Sequence, residues 1–144
     1  MSSGNGYRLS APENGRFWSL SQISERQFLD KAETFDIVLF HCNGPVGSVV
    51  RSYSKSEFDH VAMVMRDPDQ RNEVYLLEAV GSTGIVVKQY TKIRDEIGVF
   101  YNTMALRHLE FPRSDQALQT LDKFVDEVYG SKYEISLSDL LTKK

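Results

Sequence analysis

Five short stretches of this sequence are too apolar for loops and too short for helices, and they follow one another closely. They are DIVLF (36–40), HVAMVMR (60–66), EVYLLEA (73–79), GIVVK (84–88) and a run from Val99 to about Leu109. Branched and aromatic residues dominate them, and such side chains suit a pleated, half-buried surface. Turn chemistry separates them. HCNGPVG follows the first run and leads into a short apolar patch at Val46, Val49 and Val50. DPDQRN follows the second, and a glycine-rich corner, GSTG, precedes the fourth. The pattern predicts a meander of about five antiparallel strands.

The hydrophobic period changes on either side of this block. Upstream, Ser24 and Gln27 have the spacing of a capping box, and SERQFLDKAETF offers Phe28, Leu29 and Ala32 to one side. Downstream of Ser114, Ala117, Leu118, Leu121, Val125 and Val128 recur at helical spacing, and Gly130 is placed to end the helix. Helices flanking an antiparallel meander define an α+β domain. Residues 1–22, with Gly4, Gly6, Pro12 and Gly15, read as an N-terminal arm that Phe17, Trp18 and Leu20 could staple to the body. Residues 23–144 form the domain proper. The last stretch, SKYEISLSDLLTKK, opens another amphipathic segment of about two turns, marginal alone, so a longer parent chain is expected.

Composition excludes several classes. The 144 residues suffice for one domain, with 17 basic and 20 acidic side chains giving a net charge of −3. That balance lacks the basic stripe that nucleic acid requires. The one cysteine, Cys42, rules out an internal disulfide framework and makes a cytoplasmic location the expectation. No apolar run approaches the ~20 residues of a membrane-spanning helix. No His, Cys, Asp and Glu cluster has metal-ligand spacing, and no phosphate-cradling glycine loop occurs, so neither a metal nor a cofactor is expected.

Chemistry therefore has to come from a few residues. His41 and Cys42 are neighbours, and adjacent strand residues point to opposite faces. His108, beside Arg107, reads as a solvated polar residue near a strand end. His60 and Glu78 are the informative pair. If 60–66 and 73–79 form a hairpin, facing positions sum to about 139, which sets His60 against Ala79. A one-residue change of register sets it against Glu78 itself, close enough for a carboxylate to hold an imidazole. Glu78 also interrupts an otherwise apolar string, where an unpartnered carboxylate is costly. The competing reading is a solvated ion pair at a strand end.

The order FDIVLF, SEFDHVAMVMR, VYLLEAVGSTGIVVKQY, NTMALRHL, LDKFVDEVYGSKYE resembles the permuted papain-like thiol hydrolases. These form the circularly permuted branch of the NlpC superfamily, related to lecithin retinol acyltransferase. The resemblance covers roughly residues 34–141. It implies His60 as the catalytic base and Glu78 as the third polar residue, acting on a peptide amide or a lipid ester. Two departures stand out. Phe35 occupies the place where the family usually has glycine before Asp36, and no Cys-Ser-Glu-Leu segment follows Tyr133.

Cys42 follows the first strand instead of preceding it on a helix, so a loop or buried cysteine is its expected identity. The chain then reads as the N-terminal part of a cysteine-dependent hydrolase or acyltransferase without its nucleophile, and inactive as it stands. The alternative is a non-catalytic protein-interaction or scaffold module on the same fold.

Overall fold

The computed structural model describes residues 21–67, 69–70, 73–81 and 83–132. The expected arm, apart from its last two residues, and the amphipathic segment after Lys132 lie outside the described residues. The elements run α1 (Glu25–Lys31), β1 (Ile37–Cys42), α2 (Pro45–Ser54), β2 (His60–Met65), β3 (Tyr75–Val80), β4 (Gly84–Gln89), α3 (Tyr90–Glu96), β5 (Tyr101–Arg107) and α4 (Asp115–Val128). The five strands make one sheet in the order β4-β3-β2-β1-β5, every neighbouring pair antiparallel. The α+β class read from the sequence is the class of the structure.

Strand alternation divides the sheet into two faces. Val38, Phe40, Ala62, Val64, Leu76 and Met104 share one face and cluster with Phe28 and Ala32 from the α1 side and Tyr90 and Ile93 from α3. The Phe28 and Tyr90 rings lie 4.7 Å apart, joining the two helices over that core. The other face carries Met63 and Leu77, and α4 brings Leu121 and Phe124 towards it. Of the α4 positions expected to pack, only Leu121 is buried; Leu118, Val125 and Val128 are half-buried. An apolar groove stays open beside the helix, lined by Phe35, Met63, Leu109, Phe111 and Phe124.

Four boundaries differ from the sequence reading, each for a local reason. The Ser24–Gln27 capping box forms, yet α1 stops at Lys31 instead of running to Phe35. Arg66 donates to the carbonyls of Leu29 and Ala32, while the Asp36 carboxylate takes the Glu33 N–H at 2.9 Å and turns the chain towards β1. The end of the expected HCNGPVG loop and the apolar patch at Val46, Val49 and Val50 belong to helix α2, opened by Pro45 in the first turn, where a missing N–H is harmless. Helix α3 has no side-chain cap and is held instead by burial of Tyr90 and Ile93. The last strand begins at Tyr101, because Gly98 to Phe100 turn back on Glu96 and Tyr101.

Beyond α4 the backbone returns to the sheet. Gly130 N–H donates to Ile85 O at 2.8 Å, and Ile85 N–H donates to Ser131 O at 2.9 Å. Gly84, with φ of 81°, makes this approach possible, since a Cβ there would stand 2.2 Å from Ser131 O.

Candidate functional site

His60 opens β2 and Glu78 lies inside β3, on the core face of the sheet. The register pairs Ala62 with Glu78, so facing positions sum to 140. The sequence arithmetic was thus off by one, and His60 stands two residues along from the residue opposite Glu78. Diagonal neighbours of this kind share a face and lie within reach of long side chains. The contact forms: His60 Nε2 is 2.7 Å from Glu78 Oε2. Glu78 has no exposed side-chain surface, whereas the His60 side chain keeps 21% of its own. A solvated strand-end ion pair is therefore the wrong description of Glu78. The Phe40 ring flanks the imidazole, with centroids 5.5 Å apart.

Glu78 has a second partner that the sequence reading missed. Lys88 Nζ lies 2.8 Å from Oε1, paired by charge but out of line for a hydrogen bond. Burial pushes the Glu78 carboxyl up, but the hydrogen bond from His60 and the positive charge of Lys88 close by outweigh it and hold the group below its usual value. An ionised carboxylate only accepts hydrogen bonds, so Nε2 must carry the proton. In the neutral ring the lone pair then sits on Nδ1. The arrangement presents a basic nitrogen whose tautomer is fixed by a buried anion.

Cys42 is not in a loop; it ends β1, just past an irregularity that shifts the register against β5 between His41 and Cys42. Its N–H donates to Asp59 Oδ1 at 2.9 Å, and its carbonyl accepts from Arg51 Nη1 at 2.9 Å. Arg51 also pairs with the buried Asp59 carboxylate, anchoring α2 to the strand entrance. Burial raises the Cys42 thiol; Arg51 opposes this and Glu78 adds to it. Such a thiol stays protonated, the opposite of an activated nucleophile. The buried Tyr101 phenol is likewise pushed up by desolvation and by Glu78.

Another buried carboxylate lies at the far end of β1. Asp36 accepts from the N–H groups of Glu33 and Leu109, each at 2.9 Å, and from Arg113 Nη2 at 2.8 Å. His108 Nδ1 lies 3.1 Å from its Oδ2. His108 is half-exposed but not merely solvated, which corrects the reading of it as a free polar residue. The signal available in the sequence was Asp36 itself, an acid at the head of an apolar strand.

Among the described residues no group of three or more His, Cys, Asp and Glu could hold a metal ion, and no helix is long and apolar enough to cross a membrane. No protein family and no curated protein matches this chain.

Proposed function

We propose that this chain carries the base-and-orienter half of a cysteine-dependent amide or ester hydrolase or acyltransferase. One observation carries the reading: a fully buried, ionised Glu78 grips His60 Nε2 at 2.7 Å and leaves Nδ1 as the base. The nucleophile is a thiol supplied from outside these 144 residues. His60 Nδ1 takes the thiol proton as sulfur attacks the substrate carbonyl carbon, and returns that proton to the leaving amine or alcohol. Water or an acceptor alcohol then releases the acyl group from sulfur. Glu78 stabilises the imidazolium during the transfer and prevents the ring from turning. The substrate is a peptide amide or a lipid ester, and a cytoplasmic setting would keep the thiol reduced.

A second reading has its own support. The only thiol present, Cys42, is kept protonated by burial, and an apolar groove lies open beside α4. A protein-interaction module on the same fold would have these properties.

The two readings part in one assay with thioester and amide model substrates. The 144-residue chain is compared with the chain extended through the residues that follow Lys144 in its gene, each also as Cys42→Ser. We expect the 144-residue chain to be inert and the extended chain to turn over with or without Cys42. His60→Ala should lower that turnover by about 10²–10⁴-fold, the usual contribution of a positioned base, and Glu78→Gln should weaken it less. Turnover by the 144-residue chain that vanishes with Cys42→Ser would make Cys42 the nucleophile. An inert extended chain, or a reading frame that closes at Lys144, leaves the interaction module.

A further inference from the structure

Glu78 is clamped between two side chains, and the second of them has no part in the reaction as written. Its facing residues are Ala62 on β2 and Val86 on β4. His60 and Lys88 lie two residues from those positions, on opposite flanks and towards opposite ends of β3. Each reaches a different carboxylate oxygen, Oε2 at 2.7 Å and Oε1 at 2.8 Å. With His60 neutral, the cluster of Glu78 and Lys88 carries no net charge. Protonating His60 leaves one positive charge in excess in a largely buried place, which is unfavourable.

The other groups facing the cluster do not offset that excess. From β1 and β5 come the Cys42 thiol and the Tyr101 phenol, both kept neutral by burial. From α2 comes Arg51, engaged with Asp59 and the Cys42 carbonyl. Lys88 is thus the cation that competes with His60 for the charge of Glu78.

We propose that Lys88 is a positioning residue for the reaction assigned above: it takes up the charge of Glu78, so that His60 is oriented by the carboxylate without being locked as an imidazolium. The inference rests on that functional reading and explains how a buried glutamate can hold a base without neutralising it. Were Lys88 absent, the imidazolium would become the only counter-charge for Glu78, and the ring would hold its proton to higher pH.

The test follows the His60 ring by nitrogen-15 NMR across pH, in the 144-residue chain and in Lys88→Met, Lys88→Gln and Lys88→Arg. In Lys88→Met the pH at which the ring titrates should rise by about one unit, the scale of one nearby charge at partial burial. Lys88→Gln, which keeps polarity but not charge, should shift it likewise should the methionine variant fail to fold. Lys88→Arg should restore the original midpoint. A purely structural lysine would change stability and leave the titration where it was, and that result overturns the proposal. So does an arginine variant that titrates like the methionine one. The measurement needs no turnover. A flat titration alongside an active extended chain removes the role of Lys88 alone, whereas a clear shift in a chain that never turns over removes the reaction and keeps the hold of Lys88 on His60.

Discussion

Among the described residues, the carboxylates of Asp36, just ahead of β1, and Glu78, within β3, have no exposed side-chain surface, and they are held in opposite ways. Asp36 accepts from two backbone N–H groups and from Arg113, with His108 alongside; these partners come from the end of α1, the end of β5 and the approach to α4. Among the described residues Glu78 receives no backbone donor and depends on two side chains, His60 and Lys88, each partly exposed. A carboxylate fixed by backbone from several elements is a staple, because its two N–H donors cannot leave without unfolding something. One fixed only by two side chains, an imidazole and an ammonium, is held without any backbone staple. The same chemical group is thus tied to backbone at one end of the sheet and to side chains at the other.

The contrast can be broken by substitution. Asp36→Asn should be the most damaging change, with a loss of about 3–5 kcal/mol, the usual result of removing one partner from a buried ion pair. Denaturant unfolding measures it, and a loss below ~1 kcal/mol would erase the distinction between the sites. Glu78→Gln should cost less, about 1–2 kcal/mol, since the His60 and Lys88 side chains left behind can both reach water. The smallest effect is a pH dependence. The folded state holds Glu78 below its ordinary value, so its contribution is complete above pH ~4.3 and fades as acid carries the protein through the lower folded value. The stability gap between the parent chain and Glu78→Gln should therefore be constant near neutrality and narrow below pH ~4.3. A gap that widens in acid would mean that Glu78 is not an ionised partner.

The strands were legible in the sequence because each is a short run of branched and aromatic residues between turn formers. What escaped was whatever depends on distant partners. Helix α3 is seven residues long with no side-chain cap, and Tyr90 and Ile93 acquire meaning only against Phe28 and the core. Helix α2 was hidden by its Gly–Pro start, although Val46, Val49, Val50 and Tyr53 have helical spacing. The pairing of His60 with Glu78 could be reached by hairpin counting because strand periodicity restricts which faces meet. The register itself could not, since a long polar connection leaves one residue of slack. Lys88 was missed because its nearness to Glu78 requires a third strand in register. Phe35 is informative in the same way: its φ of 76° lies in the left-handed region, where the glycine usual in the resembling family would be unstrained. Its ring, 5.6 Å from Phe111, and its N–H bond to Val64 O hold it there.

The clasp between Gly130–Ser131 and Ile85 also bears on how this molecule behaves among copies of itself. β4 is the outermost strand on its side, and an outermost strand offers unpaired donors and acceptors to any passing chain. The returning backbone occupies both hydrogen-bonding groups of Ile85, where recruitment of a foreign strand could otherwise begin. That guard depends on the missing side chain at position 84, because a methyl group there would collide with the carbonyl of Ser131 and push the returning chain away.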